Sequence, residues 1–377
     1  MQTADYCPRV SSISDRVRSL IDQSGLSLHD FADQADLDAE QLTECLSGTS
    51  PFSTVDLAVI ADEFHVSMDW LLTGAEPPLA VAARTTTGRA AEALAAARDY
   101  MARRADLDKL GYPQPWQSVS STARSGNGYA AQGEALAKSA LRAVESQGWS
   151  VTQDGLPEQI EAVFGADVAV EPLGDGFDGL AAMGQGAKLI LLGTTSNPAR
   201  QRFTLAHELG HLLADDDQDV HLDRDIFDRA QKKDPSEQRA NAFASVFLLP
   251  EQSLREAVGA ARLTRESFGT LCCDFMVSPE TLAYRLLKLR VIDAGACDYY
   301  KRMTVREAAA VADRAEELDR RVAASEKKRL PGLLARDTRA AYEAGKATLR
   351  PYASLLGLDV DELRGQLATE QDNGGAA

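Results

Sequence analysis

Residues 203–213 read Phe203-Thr-Leu-Ala-His207-Glu208-Leu-Gly-His211-Leu-Leu213. Leu205, Ala206, Leu209, Leu212 and Leu213 are apolar and proline is absent, so the pattern predicts a helix held against a core. Four residues on a helix are about 1.1 turns and roughly 6 Å of rise. His207 and His211 therefore share one face and can reach a single metal ion at about 2.0–2.1 Å. Glu208 points about a quarter-turn away, which suits a base acting on water more than a third ligand. The plainer alternative is a buried amphipathic helix with two satisfied histidines.

The chain has 377 residues, enough for two or three domains. Its net charge of −17 disfavours attraction to DNA or anionic lipid as a whole, so any nucleic-acid contact needs a local basic patch. No apolar run approaches a membrane span, and the N-terminal residues lack a secretory pattern, so a cytoplasmic location is expected. Five scattered cysteines (Cys7, Cys45, Cys272, Cys273, Cys297) without a C-x-x-C fit a reducing compartment and argue against cysteine-bound zinc.

Upstream, residues 11–76 read as a compact helical unit. Ile13, Val17, Leu20 and Ile21 form one stripe, Ser27 and Asp38 cap the second and third helices, Gly48 stops the third, and Ser53 opens a fourth. Glu76-Pro77-Pro78 marks a boundary. Residues 79–110 read as one long connecting helix, and 111–130 as a flexible linker. An amphipathic helix starts near Ala131, Asp167 to Leu173 alternates like a strand, and Phe177–Met183 with Lys188–Leu192 read as a hairpin turning at Gly184-Gln-Gly186. Asp215 to Asp228 is an aspartate-rich loop without the order of a calcium-binding loop. Residues 262–290 are helical, 301–330 form a charged helix, 331–366 form two or three short helices, and the last seven residues form a tail without structure.

A catalytic metal held by three protein groups needs one more ligand. In Asp234-Pro235-Ser-Glu237-Gln-Arg-Ala240-Asn241-Ala-Phe243-Ala244, Glu237 falls on the apolar face of a helix. An inward carboxylate needs a partner, and a metal would be one. It reads equally as the third residue of an Asp234 capping box. Asn241, one turn on, can orient such a ligand or simply face solvent. For a developing oxyanion His221, Arg239 and Tyr284 are available, with His221 reading first as a surface residue.

Two segments resemble the ImmA/IrrE family of metallopeptidases. They are the histidine helix with its Asn197-Pro-x-Arg-Gln-Arg-Phe-Thr-Leu-Ala lead-in, and Glu237-x-x-Ala-Asn-x-Phe-Ala followed by Leu248-Leu-Pro250. The resemblance spans about 130–260. It implies that Glu237 is the third ligand of a zinc ion, that Glu208 is the base, and that the target is a helix-turn-helix repressor whose cleavage relieves repression. Two histidines and one glutamate suit Zn2+ best, with Mn2+ compatible. Gluzincin-like proteases resembling this one hold an extended substrate by strand addition, for which the hairpin at 177–192 is the expected edge.

Residues 11–76 resemble the helix-turn-helix domain of Cro-like repressors, the XRE family, in the Leu26-Ser-Leu28 opening, Ala32, Ser47-Gly48 and Val66-Ser-x-Asp-Trp-Leu-Leu-x-Gly74. On the third helix Gln41 and Thr43 could touch base edges. Yet the segment holds two arginines, no lysine and thirteen acids. Phosphate contacts supply most DNA affinity, so DNA binding is disfavoured against a docking or dimerisation role.

The expected architecture is α+β and mostly helical, in five parts. These are an XRE-like domain (1–77), a connecting helix and linker (78–130), a zincin-like metallopeptidase domain with a small sheet (131–260), a helical extension (261–300) and a helical C-terminal region (301–377). The expected function is a zinc endopeptidase acting on a protein partner. The alternatives are a DNA-binding regulator whose peptidase-like domain senses without cutting, and a toxin or phage-defence component. No membrane partner is expected, and a homo-oligomer is compatible with the composition.

Overall fold

The computed structural model describes residues 12–24, 26–35, 37–64, 68–73, 89–119, 128–173, 177–184, 186–215, 221–223, 234–259 and 263–374. The Glu76-Pro77-Pro78 boundary, linker residues 120–127 and most of the aspartate-rich loop lie outside this set. The chain divides into two compact units, Met1–Arg98 and Asp99–Ala377.

The first unit contains α1 (Ile13–Ser24), α2 (Leu28–Gln34), α3 (Ala39–Ser47), α4 (Thr54–Glu63) and α5 (Met68–Thr73). Their ends are where the short polar side chains put them. Ser27 accepts from the Asp30 amide and Asp38 from the Gln41 amide, satisfying donors that helix geometry leaves without partners. Gly48 closes α3 at φ +78, a left-handed conformation that glycine adopts without steric cost. Val17, Phe31, Leu42, Ile60 and Leu71 form the core, with Phe31 stacked on Phe64 at 4.0 Å. The two arginines of residues 11–76 bond within this unit: Arg16 Nε donates to the Leu71 carbonyl (3.0 Å) and Arg18 Nη2 to that of Leu46 (2.8 Å).

Helix α6 (Arg89–Lys109) extends into the second unit, followed by α7 (Tyr129–Ser146), α8 (Leu156–Phe164), β1 (Asp167–Glu171), β2 (Gly179–Gly184), β3 (Ala187–Gly193), α9 (Pro198–Ala214), β4 (His221–Asp223) and α10 (Pro235–Leu248). The sheet order is β1-β3-β2-β4, with β1 parallel to β3 and the other pairs antiparallel. The α+β, mostly helical class is as expected, but β4 falls inside the segment read as loop. Its partner β2 therefore does not offer the free edge expected of the hairpin; β4 is the outer strand on that side. Residues 111–119, read as linker, lie against the core instead. Gln114 Nε2 donates to the Lys188 carbonyl (2.8 Å), and the Gln117 amide donates to the Phe164 carbonyl (2.8 Å).

Beyond α10 come α11 (Glu251–Val258), α12 (Arg265–Phe275), α13 (Pro279–Lys288), α14 (Ala294–Tyr300), α15 (Val305–Val311), α16 (Ala315–Ser325), α17 (Gly332–Glu343), α18 (Arg350–Leu356) and α19 (Val360–Gly374). The charged helix expected over 301–330 is two helices, because the chain reverses at Asp313, which adopts φ +56. The tail is helical as far as Gly374. Buried Arg104 of α6 joins these layers. It donates to both oxygens of Asp167 on β1 (2.8 Å each) and to Asp337 on α17 (2.7 Å).

Candidate metal centre

Helix α9 runs under the sheet and is buried from Thr204 to Leu213. Asn197 caps it through the Arg200 amide and Pro198 occupies its first turn, where the missing N–H costs nothing. Its apolar residues pack into the main core with β1–β3, α7 and α10. The close approach of α10 depends on Gly210, where a Cβ would sit 3.1 Å from the Phe243 ring. A Cβ at Gly133 of α7 would run into the Arg239 carbonyl oxygen of α10. Helix α10 is thus clamped between α7 and α9, and its register presents Glu237 to the histidines.

The three side chains meet. His207 Nε2 and His211 Nε2 are 3.0 Å apart, Glu237 Oε1 is 3.3 Å from His211 Nε2, and Oε2 is 3.4 Å from His207 Nε2. Two ligands of a tetrahedral zinc at about 2.05 Å are separated by ~3.3 Å. The two imidazole–carboxylate separations are close to that value, each to a different Glu237 oxygen, and the 3.0 Å imidazole pair is shorter. Among the described residues these three form the group whose donor atoms converge for a metal, all within 4.8 Å of one another. His207 is 0 %, His211 1 % and Glu237 5 % exposed, so without a cation the cluster would hold three polar groups away from water at a cost. Burial pushes the Glu237 carboxyl up, but the adjacent imidazoles outweigh it and hold the group well below the usual carboxylate range. It is therefore a carboxylate, the form that binds metal.

Asp234 caps α10 through the Ser236 amide (2.8 Å), and the Glu237 carboxylate lies against the two imidazoles. Glu208 is fully buried beside His207. Asn241 is half-buried one turn after Glu237. Arg239 is half-buried and its Nη1 donates to Gln132 Oε1 (3.3 Å). Tyr284 lies on α13, 48 % exposed, with the Lys301 ammonium over its ring, so it is not drawn into the buried cluster. His221 lies in β4, opposite Ala181 of β2. In the first unit Gln41 and Thr43 are exposed on α3, between exposed Glu40 and Glu44, and the Thr43 hydroxyl donates to the Ala39 carbonyl (2.8 Å). The composition gave no sign of Arg104; one of four arginines in an alanine-rich helix looks like a solvated charge until its two distant aspartates are placed.

Comparison with known sequences bears on the same segment. Residues 162–287 match the Peptidase M78 family model, described as the IrrE N-terminal-like domain. A stretch of 130 residues, 33 % of this chain, is 34 % identical to the radiation response metalloprotease IrrE of Deinococcus radiodurans. The match covers 37 % of that protein, so this chain spans little more than a third of its relative's length. The likeness to the ImmA/IrrE family read from the two motifs is borne out for this segment, which contains His207, Glu208, His211 and Glu237. The helices of the first unit lie outside it.

Proposed function

We propose that this chain is a zinc-dependent endopeptidase that hydrolyses a peptide bond in a partner protein. The observation that carries the reading is the convergence of the His207, His211 and Glu237 donor atoms, all within 4.8 Å of one another, with buried Glu208 next to His207 in the chain. A divalent cation held by those three would supply Lewis acidity, lowering the pKa of water and polarising a substrate carbonyl. Glu208 then takes the proton of the attacking water and later delivers it to the leaving amine, so the proton balance closes on one carboxylate. Asn241 orients the Glu237 helix face. Arg239, two residues after Glu237, projects about 200° away around α10 and donates to Gln132, so it is not assigned as the oxyanion donor.

The partner in this reading is a helix-turn-helix repressor, whose loss relieves repression. Support comes from the segment's likeness to the ImmA/IrrE family and from a front unit resembling a Cro-like domain. That unit docks proteins and not DNA: residues 11–76 carry thirteen acids, and their two arginines are bonded to carbonyls of the unit itself. The test is incubation of the purified chain with zinc and repressors encoded beside it, with a Glu208→Gln variant in parallel. Fragments that need metal and vanish in the variant support the protease. Tight, salt-sensitive promoter binding with no cleavage would favour the sensor-regulator instead.

A further inference from the structure

A second site lies in the same unit, away from the donors of the metal cluster. A cavity of about 280 Å³ opens between the first turns of α9, strands β1 and β3, and helices α12, α15 and α16. Its size is at the lower end of small-molecule pockets. The wall is mostly apolar, formed by Leu156, Leu192, Leu205, Val277, Ala308 and Leu318 among others. Its charged lining runs against the chain as a whole: five basic side chains face three acidic ones, in a protein of net charge −17.

The basic side chains are not equivalent. Arg314 and Arg321 are tied to Glu317, and Arg329 to Glu158 and Glu161. Asp154 is largely exposed, with Arg321 Nε 3.4 Å away. Arg202 is different. Its Nη2 donates to the Val151 carbonyl, while its buried Nε meets no acceptor. None of the ion pairs among the described residues includes it. Burial pulls its guanidinium down to about 10, with Asp154 offsetting part of the fall and Arg321 adding to it. A half-buried guanidinium whose Nε is shielded from water and lacks an acceptor is retained at a cost unless something pairs with it.

We propose that this cavity binds a small organic carboxylate with an apolar body, its carboxylate paired with Arg202 and its body against Leu205, Val277, Ala308 and Leu318. Arginine presents a planar fork matched to a carboxylate, and the apolar wall selects against hydrated inorganic anions. Arg202 and His207 share α9, so the site sits one and a half turns from the metal cluster, yet its occupancy can be read without any peptidase activity.

Octanoate is a suitable probe, titrated into the full-length chain by isothermal calorimetry beside octanol. Saturable binding of one octanoate, at least about tenfold tighter than octanol, is expected, as one charge-assisted pair is worth that or more. Arg202→Gln should weaken octanoate about tenfold and leave octanol unchanged, and Leu318→Trp should abolish both by filling the cavity. Equal affinity of the wild-type chain for octanoate and octanol, or no saturable octanoate binding at millimolar concentration, would overturn the proposal without recourse to any variant. So would Arg202→Gln or Leu318→Trp, folded by circular dichroism, that binds octanoate as the wild type does.

Discussion

Arg104→Leu removes a cation on which two carboxylates depend. The guanidinium is 2 % exposed and makes three charge-assisted hydrogen bonds of 2.7–2.8 Å, two to Asp167 and one to Asp337. Leucine keeps the apolar stem but leaves the Asp167 carboxylate buried without a cation, with only the Gln114 amide beside it, while Asp337 retains Arg336. Breaking a buried pair from one side costs about 3–5 kcal/mol. The loss should depend on pH with a definite sign. Burial raises Asp167 above its ordinary carboxylate value, and Arg104 offsets part of that rise; without the cation the folded value climbs further. A carboxyl whose folded pKa lies above its unfolded one contributes stability that is present at low pH and lost as pH rises through the folded value. The variant's deficit should therefore be largest near pH 8 and shrink toward pH 4. Urea unfolding followed by far-ultraviolet circular dichroism at a series of pH values measures it. A deficit below about 1 kcal/mol at neutral pH, as for an exposed pair, would refute the reasoning, as would one that does not change with pH.

Glu208→Gln should keep its metal and lose about 10²–10⁴-fold in cleavage rate, since only the proton carrier is removed; equal loss of metal would mean a structural role. Gly210→Val should push α10 away from α9, because even a Cβ would sit 3.1 Å from the Phe243 ring, and loosen metal retention by about tenfold or more in competition with a chelator. Asp234→Ala should cost about 1 kcal/mol of capping energy at neutral pH in urea unfolding. The Ser236 hydrogen bonds depress the Asp234 carboxyl, so its contribution is present above the unfolded pKa and fades as pH falls through the folded one; the variant's deficit should close in acid. Chelation should lower the stability of the second unit by about 4 kcal/mol relative to protein in metal at a thousandfold excess over Kd, read as a shift in melting temperature.

The parts of the site legible in the sequence are those fixed by local spacing. The separation of His207 and His211 dictates a shared helical face, and Ser27, Asp38 and Asp234 cap where short polar side chains precede apolar periodicity. Glu237 was ambiguous because a first-turn glutamate fits a cap as well as a metal; only the packing of α10 on α9, set by Gly210, decides between them. Strand β4 was hidden because its three residues sit among aspartates and gain strand geometry from pairing with β2, a contact no local pattern encodes. The docking of residues 111–119 was invisible for the same reason, since glycine, proline and serine signal irregular backbone and not whether it is packed. The Arg202 cavity draws on segments from Asp154 to Arg329, a separation beyond any periodicity argument.

In the proposed site two imidazoles and one carboxylate hold a single divalent cation. Mass-spectrometric metal analysis of protein purified without added metal, alongside His211→Ala and Glu237→Gln, tests it most directly. About one zinc per wild-type chain, lost from both variants while their circular dichroism stays that of a folded protein, is the expected result. A metal-free wild-type chain that also fails to take up zinc, or a Glu237→Gln variant that retains zinc as tightly as the wild type, would contradict it.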